Sequence, residues 1–228
     1  MKSLRINYKK CPTVGNSPSV RVGVVTSEGS QIQPSIITCL ESFHGQINWI
    51  SNPELPSESE CDVVFEEVDA ETIRIGFPVS GNYSDLHWTT ISVLNTKASL
   101  ALPSVVHTML APAFAHGLIG IDWADIRQIA CSGKQGILAL VSGELGEAMN
   151  EAHSIISATL NSFTYEPSVT GVIAVIFTPD ANQALLNQFY QAVRLLETIA
   201  PSEQTVLVAA PTITDDKPMY ALLVIINQ

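Results

Sequence analysis

Basic residues are scarce in this chain. Its 228 residues include 11 lysines and arginines against 22 aspartates and glutamates, which gives a formal net charge of −11. Nucleic-acid backbones and anionic membrane surfaces are themselves negative, and the proteins that bind them present clustered basic side chains. The charge balance therefore argues against nucleic acid and membranes as partners.

Cysteines are also few, and they are scattered. Cys11, Cys39, Cys61 and Cys131 form no Cys-x-x-Cys pair, which is the spacing typical of zinc sites and redox motifs. We therefore expect neither a metal site nor a disulfide framework. No other motif in the chain predicts a cofactor.

Long apolar runs are missing as well. No segment reaches the roughly 18 consecutive apolar residues that a membrane-spanning helix needs, and the first residues lack the apolar run of a signal peptide. The expected location is therefore the cytoplasm. Hydrophobic residues still make up 46% of the chain, which is ample for a sizeable core in one large or two small domains.

The second half of the chain alternates between two apolar periodicities. Apolar residues recur at three- and four-residue steps over residues 145–160 and 185–199, which predicts two amphipathic helices, and a further helix is expected over 105–115. Continuous apolar runs predict buried strands at residues 136–142, 171–177, 205–210 and 220–226. This order predicts an α/β fold in which helices pack on a mixed sheet.

The first half is richer in predicted strands. Short strands are expected at residues 20–26, 46–51, 61–67, 72–77 and 86–94, with one helix over 32–40. Residues 1–19 are polar, basic at their start and contain Pro12, Gly15 and Pro18, so we expect a mobile arm. The predicted division is an arm at 1–19, a reduced α/β domain at 20–103 and a second domain at 104–228.

One eleven-residue string is unusually specific: Gly117-Leu118-Ile119-Gly120-Ile121-Asp122-Trp123-Ala124-Asp125-Ile126-Arg127. It resembles the acidic loop with which proteins of the FtsZ/tubulin family reach into the GTP of a neighbouring subunit. The usual family form is Gly-Leu/Ile-x-Asn-x-Asp-Phe-Ala-Asp-Val-Arg/Lys. Here Gly120 replaces the asparagine and Trp123 replaces the phenylalanine. A strand that ends in Gly143-Glu144 before a helix agrees with the family order, and the resemblance covers residues 105–228.

The resemblance implies an FtsZ-like C-terminal domain preceded by a reduced, strand-rich remnant of the nucleotide-binding domain. The family's glycine- and threonine-rich signature, Gly-Gly-Gly-Thr-Gly-Thr-Gly, occurs nowhere in the chain. The loop after the first predicted strand, Thr26-Ser27-Glu28-Gly29-Ser30, has one glycine and an acid where phosphate would lie. The half-site that would hold the nucleotide is therefore missing, and we expect that the chain is not an enzyme.

The acidic loop supplies the candidate partner-facing residues, which are Leu118, Gly120, Asp122 and Asp125. In the family, such acids complete the hydrolytic site on the next subunit. A structural alternative is that Asp122 and Asp125 only cap and charge the first turn of a helix that begins near Trp123. Trp123 itself is interpreted as core packing.

The function implied by the resemblance is non-enzymatic. The acidic-loop face would cap or modulate the assembly of FtsZ-type filaments, with filament subunits or a second copy of the chain as partners. The alternative is a small-ligand-binding protein or an enzyme that reuses the cleft between the two halves. Ligands of α/β folds bind beyond the carboxyl ends of strands, where the loop at residues 26–30 is expected.

Overall fold

The chain folds into ten strands and four helices within the residues that the computed structural model describes, namely 20–26, 47–50, 61–79, 82–94, 101–179, 183–200, 204–213 and 217–227. The strands are β1 (Val20–Val25), β2 (Ile47–Ile50), β3 (Val63–Glu67), β4 (Thr72–Val79), β5 (Asn82–Leu94), β6 (Gly117–Ile119), β7 (Gln135–Ser142), β8 (Ser168–Phe177), β9 (Thr205–Pro211) and β10 (Met219–Asn227). The helices are α1 (Ala101–Phe114), α2 (Trp123–Ala130), α3 (Leu145–Asn161) and α4 (Gln183–Leu196).

All ten strands belong to one mixed sheet, in the order β2-β1-β3-β4-β5-β7-β10-β8-β9-β6. Strands β4, β10 and β6 run against the other seven. Strand β10 lies between β7 and β8 and is antiparallel to both. The two last strands of the chain are therefore not neighbours in the sheet. The α/β architecture with a mixed sheet, predicted from the alternation of periodicities, is confirmed.

The sheet separates two hydrophobic cores. Successive side chains of a strand point to opposite faces, and β10 follows this rule: Leu223 and Ile225 enter one core, whereas Leu222 and Val224 enter the other. The first core contains the inner residues of α1 and α2, and the second contains those of α3 and α4. Because both faces of β10 are covered, its sequence is a continuous apolar run rather than an alternating one.

Helix α1 is the most buried helix in the described part of the chain. Every residue from Ala101 to Pro112 is buried, and the helix contacts β3, β4, β5, β9 and α2. A helix surrounded in this way is largely apolar, and its polar residues Ser104, His107 and Thr108 are buried with the rest. It begins four residues earlier than the predicted start at residue 105.

Most of the other sequence predictions fall on observed elements. The predicted strands of the first half correspond to β1 to β5, and the two amphipathic stripes correspond to α3 and α4. Strand β6 was not predicted. The expected arm at 1–19 and the helix at 32–40 lie outside the described residues. The expected domain boundary at 103 and 104 falls inside α1, and β5 pairs with β7 across it; the division into domains stays a prediction.

Candidate functional site

The acidic loop folds as a short edge strand, a turn and the first turn of α2. Asp122 is the N-cap residue of α2, with an extended backbone (φ −67°, ψ 140°). Its Oδ1 accepts a hydrogen bond from the N–H of Ala124 at 2.9 Å, and its carbonyl oxygen accepts from the N–H groups of Asp125 and Ile126. These bonds satisfy donors that a helix start leaves without partners. Asp122 therefore caps α2, and whether it also faces a partner stays a prediction.

Asp125 lies in the first turn of α2, where a carboxylate interacts favourably with the helix dipole. The side chains of Asp122 and Asp125 are both exposed. Among the described residues, neither carboxylate takes part in an ion pair. The two acids therefore present negative charge to solvent beside the sheet edge.

Strand β6 carries an exposed apolar side chain next to these acids. Gly117 and Ile119 pair with Pro211 and Ala210 at the end of β9, while the side chain of Leu118 is 42% exposed. A Cβ atom at Gly117 would lie 2.3 Å from the carbonyl oxygen of Ala210. Only glycine permits this close approach, so Gly117 fixes the position of β6.

Gly120 is exposed in the turn between β6 and α2. A Cβ atom there would lie 3.6 Å from the carbonyl oxygen of Pro112, which is an ordinary van der Waals distance. The backbone of this turn therefore accepts a side chain, and packing does not require glycine. We call the exposed set Leu118, Gly120, Asp122 and Asp125 the acidic-loop surface.

Three residues, Trp123, Arg127 and Ile121, hold the acidic loop on the body of the protein. The indole ring of Trp123 packs between the ring of Phe77 on β4, at 6.0 Å between centroids, and the ring of Phe114 on α1, at 5.7 Å. The guanidinium of Arg127 donates a hydrogen bond to the carbonyl oxygen of Pro78 at 2.5 Å. The N–H of Ile121 donates to the carbonyl oxygen of Pro112 at 3.0 Å. The interpretation of Trp123 as core packing is confirmed.

The role of Leu118, Gly120, Asp122 and Asp125 as partner-facing residues stays a prediction, and the sequence did not predict the anchor at Arg127. Its acceptor is a backbone carbonyl 49 positions away. Every residue has a backbone carbonyl group, so no residue type in the sequence indicates which carbonyl accepts that bond.

A second acidic region lies where β3 ends beside the end of β1. Val25 is in register with Glu66, Glu67 ends β3, and the turn that follows contains Asp69 and Glu71. The N–H of Glu71 donates to Oδ1 of Asp69 at 2.9 Å, and this bond is the main cause that lowers the pKa of the Asp69 carboxyl. The turn is therefore negatively charged at neutral pH, which disfavours the binding of phosphate groups nearby.

The remaining predictions of sites concern the loop at residues 26–30 and metal ions. Residues 27–30 lie outside the described residues, so the cleft proposed for a small ligand stays a prediction. In the described ranges, no group of three or more histidine, cysteine, aspartate or glutamate side chains is placed to hold a metal ion. No helix within those ranges is both long and apolar enough to span a membrane.

No protein-family model matches the chain, and no curated protein matches it. Among solved structures, the chain is similar to a mutant FtsZ from M. jannaschii with a TM-score of 0.43 and 16% identity, over 55% of this chain and 37% of the other. It is also similar to an empty FtsZ dimer from M. jannaschii, with a TM-score of 0.44 and 14% identity, over 89% and 53% of the two chains. The chain thus spans about half or less of these FtsZ chains. Similarity at this level identifies no shared function, and the resemblance of the acidic loop stays a prediction.

Proposed function

We propose that this protein is a non-enzymatic, FtsZ-like protein that docks on a subunit of an FtsZ-type filament through its acidic-loop surface and thereby caps or modulates filament assembly. The observation that carries the proposal is the exposed placement of Leu118, Gly120, Asp122 and Asp125 on one anchored segment. Two carboxylates beside an exposed leucine offer a partner both charge and apolar contact.

The anchoring of this surface supports a role in binding. Association costs less when the binding surface is already ordered in the free protein. The Trp123 ring contacts and the Arg127 hydrogen bond hold α2 against β4 and α1 before any partner arrives. The carboxylate of Asp122 caps the helix through Oδ1, so its orientation is set by the same local structure.

The charge of the surface indicates the chemistry of its partner. Exposed carboxylates attract a surface that presents a cation or N–H donors, because complementary charge directs association. Subunits that bind a nucleotide together with a cation provide such a surface. The partner class in this proposal is therefore a filament subunit with its nucleotide bound.

Two features favour a role without nucleotide hydrolysis by the chain itself. The glycine-rich signature is missing from the sequence. In loops of that kind, backbone N–H groups approach the phosphates closely. Three acidic residues, Glu67 at the end of β3 and Asp69 and Glu71 in the turn after it, follow the position where β3 pairs with the end of β1. Both features disfavour a triphosphate in this part of the fold.

The test uses the full chain with FtsZ purified from the same organism. GTP turnover and polymer sedimentation are measured as the chain is added up to stoichiometric amounts. The double variant Asp122→Asn/Asp125→Asn removes both charges, while asparagine retains the N-cap bond of residue 122. We expect a dose-dependent change in turnover and sedimentation that this variant abolishes.

The matched control is Glu147→Gln/Glu151→Gln on α3, which changes the net charge equally at exposed positions away from the acidic-loop surface. This control should act like the unmodified chain. The absence of any effect of the unmodified chain at equimolar amounts would overturn the proposal. Separate incubation of the chain with GTP alone tests the non-enzymatic part, which turnover above background would contradict.

A further inference from the structure

A second candidate binding site lies at the other end of β9. It is a cleft of about 460 Å³ between the last turn of α3, the turn after α4, and the starts of β8 and β9. We call it the α3–β8 cleft, and it is lined by Ser157, Leu160, Asn161, Glu166, Pro167, Ser168, Val169, Thr198, Ile199 and Gln204. Its volume falls within the range of small-molecule sites. β6 pairs with the last residues of β9, so roughly 20 Å of strand separates the cleft from the acidic-loop surface.

The electrostatics of the cleft favour a cation. Among the described residues of the lining, Glu166 is the only ionisable one. His153 is not part of this lining but contacts it, with its Nε2 2.6 Å from the hydroxyl oxygen of Thr198. The last turn of α3, which contributes Leu160 and Asn161, contains no basic residue. The carbonyl end of a helix carries a partial negative charge, and here it adds to the charge of the carboxylate.

The walls of the cleft are suited to an alkyl stem. Leu160, Val169 and Ile199 supply aliphatic surface, while the hydroxyl of Ser157 and the amide of Asn161 supply oxygen acceptors. A charged head group can bond to the oxygens while its methylene groups cover the apolar wall.

A neighbouring cavity adds an aromatic surface at the same carboxylate. This cavity, of about 380 Å³, is lined by residues 163–167 and shares Glu166 and Pro167 with the α3–β8 cleft. Tyr165 is 85% exposed, although buried or half-buried positions are usual for aromatic side chains. An exposed ring beside a carboxylate can hold a cation over its face.

We propose that the α3–β8 cleft binds an alkylammonium group, that is, a primary ammonium on an apolar stem. Free aliphatic polyamines and the lysine side chains of a partner protein both present this group. The ammonium would bond to the Glu166 carboxylate and the neighbouring oxygens, and the methylene stem would lie on Leu160, Val169 and Ile199. The site is independent of the acidic-loop surface and of the function proposed for it.

The first experiment is a titration of the full ¹⁵N-labelled chain with 1,5-diaminopentane, followed by amide chemical shifts. The uncharged control ligand is 1,5-pentanediol, which has the same stem and can form hydrogen bonds. We expect saturable shifts at residues of the α3–β8 cleft with the diamine and none with the diol. Equal shifts with both ligands, or shifts confined to other surfaces, would overturn the proposal.

Two variants separate a specific site from general attraction to an acidic protein. Glu166→Gln removes the carboxylate of the cleft, and we expect the diamine to bind roughly fivefold more weakly. Glu151→Gln makes the same change in net charge at an exposed position of α3 outside the lining, and binding should not change. Equal weakening by the two variants would contradict a defined site.

A third titration identifies the source of the ammonium group, using N-acetyl-lysine methylamide as the probe. Tighter binding of this compound than of the diamine would favour a lysine side chain of a partner, and the reverse order would favour a free polyamine. Both orders support an alkylammonium site. Failure of both ligands to bind at millimolar concentration would exclude it.

Discussion

The guanidinium of Arg127 on α2 donates a hydrogen bond to the carbonyl oxygen of Pro78 at the end of β4, with the two atoms 2.5 Å apart. The bond joins the helix that carries Asp122 and Asp125 to a strand from the first half of the chain. The ring contacts of Trp123 with Phe77 and Phe114 also join α2 to β4 and α1. The orientation of the acidic-loop surface therefore depends on β4 as well as on its own segment.

Arg127→Ala should lower the free energy of unfolding by about 1–2 kcal/mol, because a charge-assisted hydrogen bond to a backbone carbonyl of β4 is lost. Urea denaturation followed by circular dichroism measures the change. Arg194→Ala on α4 removes an exposed arginine and serves as the matched control with little expected effect. Equal stability of the Arg127 variant and the unmodified chain would show that the bond contributes nothing.

Asp122→Ala should destabilise the protein by about 1 kcal/mol, since alanine cannot accept the N–H bond at the start of α2. Asp122→Asn should stay close to the unmodified chain, because asparagine caps helices as well as aspartate does. Urea midpoints of the two variants give the comparison directly. A similar loss in both would mean that the charge, rather than the cap, is what stabilises α2.

Gly117→Ala should destabilise the protein by roughly 1–3 kcal/mol, the usual cost of forcing an extra group into a packed site. The new Cβ would lie 2.3 Å from the carbonyl oxygen of Ala210 and must push β6 away from β9. Gly120→Ala, three positions later, meets only an ordinary contact at 3.6 Å and should change stability by less than about 0.5 kcal/mol. Amide hydrogen exchange at β9 should rise in the first variant only.

His107 predicts a pH dependence of stability. It is buried inside α1, and burial lowers its pKa from the ordinary 6.5 to about 3. Between about pH 3 and pH 6.5, His107 is therefore protonated in the unfolded chain but neutral in the folded chain. The contribution of His107 to the free energy of unfolding is fully present above pH 6.5 and is lost as the pH falls. The free energy of unfolding should decrease by about 2 kcal/mol between pH 7 and pH 5.

The measurement for His107 is urea denaturation at pH 7 and pH 5. His107→Gln keeps a polar side chain of similar size that does not titrate, so its stability should fall less over this interval. If His107→Gln retained the same loss as the unmodified chain, other groups would be responsible for it.

Local patterns in the sequence were sufficient for most of the secondary structure. The stripes over 145–160 and 185–199 predicted α3 and α4, and the apolar runs predicted the buried strands of the second half. The cap at Asp122 was also foreseeable, because aspartate before a helix bonds to N–H groups within the next three residues. In each case the determining interactions join residues close together in the chain.

The arrangement of these elements was decided only by tertiary structure. A short segment separates β9 from β10, yet β10 pairs with β7 and β8. Strand β6, with three residues, is too short to show a periodicity, and it exists because Gly117 allows it to approach β9. The Arg127 bond and the α3–β8 cleft likewise join residues distant in sequence. Sequence alone determined which segments are helices or strands and which acids begin α2, because hydrophobic periodicity and helix capping depend on residues close together in the chain. The pairing of strands and the shape of the surface depend instead on which distant residues come into contact when the two cores form.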